Sequence, residues 1–382
     1  MVARMRRSHP AANLPVAWKQ GPSETPAIRK PNIIVILADD MGFNDITFNG
    51  GGVAGGSMYD DPKSANVVNA RNAFDPVDRF LWAAQPSGVR FNGGPVFKTD
   101  GYMTDSLTNQ AIDAIEANRN RPFFMYLAYN APHSPLQATK ADYDALPQIG
   151  SHSLRVYAAM IRNLDRNIGR VLNALRKQGL ENDTLVIFTS DNGGANYLGL
   201  NDLNKPYRGW KATFFEGGLR VPFFMRWPGR LPKGEHVAEP VTHFDIYATA
   251  AAVAGATLPA DHIIDGTNLL PFVDKTAAGR PHESLFWRSG NYRTIRAGDW
   301  KLQVDDTRRK QWLYNLADDP TEQHDRSAVN PAKVAELAAM LGQINAEQAK
   351  PLWPALIEVP VLIDKPLGRP IAEADEWIYW SN

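Results

Sequence analysis

The sequence predicts an α/β protein: a mostly parallel central sheet with flanking helices, followed by a small C-terminal antiparallel α+β unit. Three observations predict it. Short apolar runs rich in branched residues recur up to residue 227, helical periodicities fall between them, and beyond residue 281 short strand-like pieces crowd together. Strands covered on both faces read as unbroken apolar runs, and strands alternating with helices build parallel sheets.

The first run, 32–37, is Asn-Ile-Ile-Val-Ile-Leu, preceded by Pro31 and followed by two acids. It is too short and too β-branched for a helix, so it reads as a doubly buried strand. Runs at 122–129, 184–189 and 221–227 read the same way. A helix beginning near Thr104 turns Leu107, Ala111, Ile112 and Ile115 inward. Between Ser151 and Gly179 the apolar residues Leu154, Tyr157, Ile161, Leu164, Ile168, Val171 and Leu175 form one stripe of a long helix. Past Pro281, strand-like pieces at 284–287, 292–297, 300–304 and 311–314 suit an antiparallel meander. A helix follows, with Asn330 as its expected N-cap and Pro331 at its first position. The expected organisation is a disordered leader (1–29), an α/β domain (30–280), an antiparallel subdomain (281–350) and a C-terminal extension (351–382) lying along the main domain. The stretch 50–101 fits this plan least, because a glycine-rich run at 50–56 opens some fifty residues without a convincing period.

Lys and Arg total 41 and Asp and Glu total 41, so no net field draws the chain to nucleic acid or a membrane surface. The expected partner is a small molecule or carbohydrate. With no cysteine, disulfides, thiolate metal sites and cysteine nucleophiles are excluded. Arg4, Arg6 and Arg7 have no apolar run behind them, and no secretory signal or membrane span is read. Neither compartment nor oligomeric state follows from these features.

The chemistry gathers where strands end. Asp39 and Asp40 follow the first strand, and Asp191 and Asn192 follow the strand at 184–189. Ligands of open parallel sheets collect at the carboxyl ends of strands. Four oxygen donors there suit calcium or magnesium rather than zinc. Acids after strands often serve only as caps or turns, but two such pairs in equivalent positions favour a cation site. His133, just past the strand at 122–129, is placed for a general acid or an anion contact. Lys211 precedes Ala-Thr-Phe-Phe-Glu216-Gly-Gly, a polar, glycine-rich turn, where an ordinary surface lysine is the plain alternative.

Taken in order, these segments resemble the sulfatase family. KPNIIVILADDMG (30–42) is similar to its opening strand and aspartate pair, PFFMYLAYNAPH (122–133) to its second active-site strand, and FTSDNGG (188–194) to its second metal-binding pair. KATFFEGGLRVP (211–222) resembles its lysine loop, and Asp265-Gly266, GDWKL (298–302) and LYNL (313–316) before Asp319-Pro320 also fit. The resemblance implies a fold related to alkaline phosphatase and hydrolysis of sulfate esters, of arylsulfatase type, with a bound divalent cation, usually calcium. It implies Asp39, Asp40, Asp191 and Asn192 as metal ligands. His133 would contact and protonate the ester oxygen, and Lys211 would bind the sulfate oxygens. Members of that family are usually secreted, periplasmic or lysosomal.

One part of that pattern is missing. Sulfatases make a formylglycine nucleophile from Cys or Ser in a Cys/Ser-x-Pro/Ala-x-Arg motif. Here Pro22-Ser23 and Pro86-Ser87 carry Gln20 and Ala84 at the nucleophile position, and Glu24 and Gly88 in place of the arginine. A Gly-Lys-Trp-His-Leu-Gly segment is also absent. Residues 50–58 read as the junction of an internal deletion that removes a strand and a helix. Such a loss should strip packing partners from Ile33, Val35 and Leu37 and leave the chain poorly stable. Three alternatives stand beside an impaired sulfatase. They are a non-catalytic metal-binding or sulfated-glycan-binding relative, a fragment of an intact sulfatase, and a metal-dependent phosphohydrolase using Thr47 or Ser57.

Overall fold

A computed structural model describes residues 16–25, 29–42, 64–70, 88–92, 94, 95, 97–350, 352 and 355–381. The expected junction at 50–58, with Thr47, Ser57 and much of the stretch 50–101, lies outside the described residues. The chain divides into two compact units. The first takes residues up to 41, 45–191 and 223–229; the second takes 42–44, 192–222 and 230–382.

The first unit holds strands β1 (Asn32–Ala38), β2 (Val67–Asn69), β3 (Phe124–Ala128), β4 (Gln137–Thr139), β5 (Thr184–Ser190) and β6 (Phe223–Arg226). Its helices are α1 (Met103–Ala117), α2 (Lys140–Asp144) and α3 (His152–Lys177). The main sheet runs β3-β1-β5-β6, with β1 parallel to β3 and β5 and with β6 antiparallel at the edge. Each parallel step needs a long crossover, which α1 and α3 supply. The apolar face formed by Ile34, Ile36 and Ala38 of β1 packs with Ile115 of α1 and with Leu164, Val171 and Leu175 of α3. Burying side chains of this size contributes roughly 1.5–3 kcal/mol each. The stripe on α3 is not wholly apolar. Buried Asn163 donates to Asp142 at 3.0 Å and buried Asn167 to Asp105 at 2.9 Å, while Arg162 and Arg166 pair with Asp142.

The loss of packing expected at Ile33, Val35 and Leu37 is not seen at the first two, while Leu37 is half-buried. Ile33 and Val35 are 3% and 2% exposed, on a strand with paired strands at both edges. Exposed aromatic side chains lie instead on the edge strand β3, where Phe124 and Tyr126 are 58% and 59% exposed.

The second unit contains α4 (Glu216–Leu219), α5 (Phe244–Ala254) and α6 (Leu270–Val273). Its four-stranded antiparallel meander is β7 (Ser284–Ser289), β8 (Tyr292–Ala297), β9 (Trp300–Asp305) and β10 (Lys310–Asn315), followed by α7 (Pro331–Glu347). Asn330 does precede α7, but its side chain makes no capping bond; instead its carbonyl accepts from Val334 N–H at 3.1 Å. The extension forms a hairpin of β11 (Glu358–Leu362) and β12 (Trp377–Ser381). Its Val361, Ile363 and Ile378 join Phe214, Phe215, Tyr292, Trp312 and Tyr314 in one core. Arg208 fastens it further, reaching Asp364 at 2.6 and 2.7 Å and Glu376 at 2.6 Å.

Candidate active site at the strand ends

β1 stops because its next residue turns sharply. Asp40 has φ 64, in the left-handed region that Asp and Asn enter more readily than branched residues. The turn is held from both neighbouring strand ends. Asp39 N–H donates to the Ala131 carbonyl at 2.9 Å, and Asp40 N–H to Asp191 Oδ1 at 3.0 Å. Ser190 Oγ accepts from Met41 N–H at 2.9 Å and donates to the Ala38 carbonyl at 3.3 Å. The Tyr157 hydroxyl of α3 reaches the Asp40 carbonyl at 3.5 Å.

His133 arrives from the end of β3. Its backbone N–H bonds the Asn130 carbonyl at 3.0 Å, its Nδ1 lies 2.7 Å from the Ser134 carbonyl, and its Nε2 lies 3.5 Å from Asp40 Oδ2. Ligand atoms of Asp39, Asp40 and His133 all fall within 4.8 Å of one another. The Asp40 side chain is 1% exposed and that of His133 30%, so the cluster has a buried floor and an open rim. Two hard carboxylates beside an imidazole form a donor set that suits a divalent cation. Nearby Tyr129 pairs with Thr108 at 2.7 Å, and burial pushes its phenol up to about 12, so it stays protonated at neutral pH.

The first unit therefore brings together Asp39, Asp40, His133 and Asp191. Asn192 and Lys211 belong to the second unit. There the turn after Asp191 is laced to the lysine loop: Lys211 N–H donates to the Gly194 carbonyl and Gly193 N–H to the Gly218 carbonyl, both at 3.1 Å. A Cβ on Gly193 would sit 1.8 Å from the Gly217 carbonyl oxygen, so only glycine permits this approach. Asn204 pins the same turns, accepting from Gly194 N–H at 2.8 Å and donating to Gly209 O at 3.1 Å. The Lys211 ammonium lies 6.0 Å from the centre of the Tyr197 ring.

Ser190, Tyr157 and Asn204 are site residues that sequence reasoning misses. Ser190 carries one signal, a hydroxyl closing an apolar run beside an acid; Tyr157 reads only as part of an apolar stripe, and Asn204 carries none.

Comparison with known proteins decides the family. The Sulfatase family model matches residues 55–256, just over half of the chain. The chain belongs to the sulfatase family. A second model, for the C-terminal region of N-sulphoglucosamine sulphohydrolase, matches residues 208–350. The sulfatase match takes in His133, Asp191, Asn192 and Lys211 but begins after Asp39 and Asp40, whose place rests on the geometry above. The uncharacterized sulfatase YdeN of Escherichia coli (strain K12) is 36% identical over 219 residues, 55% of this chain and 39% of that protein. Human steryl-sulfatase is 37% identical over 210 residues, 53% of this chain and 34% of its own length. The chain thus spans less than two fifths of either relative. Among solved structures, Ps i-CgsB in complex with k-i-k-neocarrahexaose gives a TM-score of 0.71 at 27% identity, covering 85% of this chain and 95% of that one. The PsFucS1 sulfatase from Pseudoalteromonas sp. gives 0.62 at 18% identity over 83% and 90%, a likeness of fold. These neighbours agree with an alkaline-phosphatase-like α/β fold carrying a C-terminal antiparallel unit.

Proposed function

We propose that this sulfatase-family chain binds a sulfate ester of a small molecule or carbohydrate at a divalent-cation site, and that it hydrolyses the ester weakly or not at all. The observation that carries the reading is the convergence of Asp39, Asp40 and His133 at the carboxyl ends of β1 and β3. Asp39, Asp40, Asp191 and Asn192 are assigned to hold calcium or magnesium. When bound, the cation supplies positive charge that offsets the anionic sulfate. His133 is assigned to the ester oxygen, as hydrogen-bond donor and proton source for a leaving alcohol or phenol. Lys211 is assigned to the sulfate oxygens, where its ammonium offsets charge that develops in the transition state.

The residues present do not fit the formylglycine nucleophile. The chain has no cysteine, and Gln20 and Ala84 occupy the corresponding positions before its two Pro-Ser pairs. Arylsulfatase-type turnover is therefore expected to be far below that of a protein with the motif. A non-catalytic receptor for sulfated glycans is the second reading, favoured by a cation cluster and lysine loop that persist without the nucleophile. The complex of Ps i-CgsB with an oligosaccharide makes a carbohydrate ester the ligand class to try first.

Two measurements on the same protein test this. Calorimetric titration with calcium should show one site that Asp40→Asn weakens at least tenfold, and sulfate release from an aryl sulfate should be slight and calcium-dependent. No calcium binding would remove both readings; brisk turnover would remove the impairment. Sequencing the source DNA across codons 48–62 separates a true internal loss from a fragment of a longer gene.

A further inference from the structure

A second cluster of ionisable groups lies wholly inside the second unit. Lys301 of β9 is fully buried, with its ammonium 2.8 Å from Glu216 Oε1 and 3.0 Å from Glu322 Oε1. Both carboxylates are buried as well. Glu322 Oε2 accepts from the Glu216 backbone N–H at 2.5 Å, and its Oε1 also accepts from Gln303 Nε2 at 3.1 Å. Gln303 in turn accepts from the Tyr292 hydroxyl, and that hydroxyl oxygen accepts from Phe214 N–H at 2.9 Å. Two backbone N–H groups of the Lys211 loop, those of Phe214 and Glu216, are thus tied to the meander and to Glu322 just beyond it by one connected network.

We propose that Glu216, Lys301 and Glu322 form a one-proton lock that positions the Lys211 loop. Lys211 as a sulfate contact rests on the function proposed above; the lock itself does not. Lys301 is shared between the two carboxylates, whereas the arginines that pair here face Glu216, so Glu322 is the less compensated carboxylate in a dry interior and the one that takes up a proton first. On the Glu216 side stand Arg296 at 3.9 Å and Arg220 at 3.6 Å, with the Tyr207 phenol close by. Burial raises Glu216, but Lys301 and these two arginines outweigh it and hold its carboxyl below the usual range. On the Glu322 side stand Tyr292, Tyr314 and Arg208, the last directed at the Glu322 carbonyl rather than its carboxyl, while Asp305, Asp325 and Glu376 surround the two tyrosines. There burial, opposed by Lys301 and reinforced by Glu216, pushes the carboxyl up to about 7. Below that value Glu322 takes up the proton while Glu216 stays charged.

The sign of the pH effect follows. A group whose pKa is raised on folding stabilises the closed state below its unfolded value, roughly 4.3 for Glu, and loses that contribution as pH rises toward the folded value. Opening of the loop releases Glu322 into water. It should therefore become easier by up to about tenfold per pH unit from roughly pH 4.5 to 7 and then level off.

Hydrogen–deuterium exchange of the full chain, read as protection factors corrected for intrinsic rates, tests this without any turnover. Amides of residues 209–220 should be at least tenfold less protected at pH 7.5 than at pH 5.5, while β1 and β5 change little. Glu322→Gln, which keeps the shape and removes the titration, should flatten the profile. Lys301→Met should raise exchange in 209–220 by at least tenfold at every pH. If that variant does not fold, Glu322→Gln alone decides. A flat wild-type profile, or an equal slope in Glu322→Gln, overturns the lock. A lock that passes while the chain binds neither calcium nor sulfate ester leaves this inference standing and removes the function.

Discussion

The strand-end cluster and the lysine loop are held by opposite means. Asp39 and Asp40 are placed by hydrogen bonds of their backbone N–H groups to the adjoining strand ends, beside the apolar cluster that β1 shares with α1 and α3. The Lys211 loop depends on a buried ammonium between two carboxylates and a chain of hydrogen bonds across the meander. Strand-end geometry tolerates the loss of one contact, because the sheet still fixes the backbone. A buried ionic cluster does not, because removing Lys301 leaves the Glu216 charge in a dry interior without its nearest partner.

That contrast can be broken by mutation. The largest effect is expected from Lys301→Ala, which abandons Glu216 and Glu322 and should cost about 3–5 kcal/mol in urea unfolding of the second unit. A loss under ~1 kcal/mol would mean that the cluster relaxes freely. Next comes the cation: calcium at about a hundred times its Kd should stabilise the protein by about 2.7 kcal/mol, and Asp40→Asn should cut that gain to about 1.4 kcal/mol or less at the same calcium concentration. Asp40→Val sharpens the point further. It places a branched residue at φ 64 and should cost about 1–3 kcal/mol without calcium, whereas Asp40→Asn, tolerant of that conformation, should cost far less. Ser190→Ala removes the acceptor of Met41 N–H and should cost ~1 kcal/mol, measured by the same unfolding curves. The exposed Lys140–Asp144 pair of α2 sets the floor, and Lys140→Ala should change stability by no more than ~0.5 kcal/mol.

Much of this is readable from the chain itself. The runs at 32–37 and 184–189 are β1 and β5 within a residue, because a doubly buried strand has few sequence solutions. The four short pieces past Pro281 form the meander in the expected order. The carboxylates at the strand ends are legible because acids that break off an apolar run must lie where the buried strand reaches water. Less legible are features whose partner lies far along the chain. Glu322 sits among ordinary polar residues, and its bond to Glu216 spans a sequence separation of 106. Ser190 and Tyr157 each bond a backbone group rather than a patterned side chain, so neither spacing nor charge marks them. The cap expected of Asn330 fails for a related reason, since residue type permits a side-chain bond that the local backbone then declines.

What the sequence by itself determined was β1 and β5, the long helices α1 and α3, the meander strands with α7, and the positions of Asp39, Asp40, Asp191 and Asn192 at strand ends. Period, β-branching and the abrupt end of an apolar run are local properties, and neighbours along the chain are enough to express them. Only the tertiary structure decided that His133 lies 3.5 Å from Asp40 and that Lys301 is enclosed by Glu216 and Glu322. Those meetings depend on the path between residues that lie far apart along the chain. That path is chosen by the burial of whole faces, which no single stretch of sequence contains.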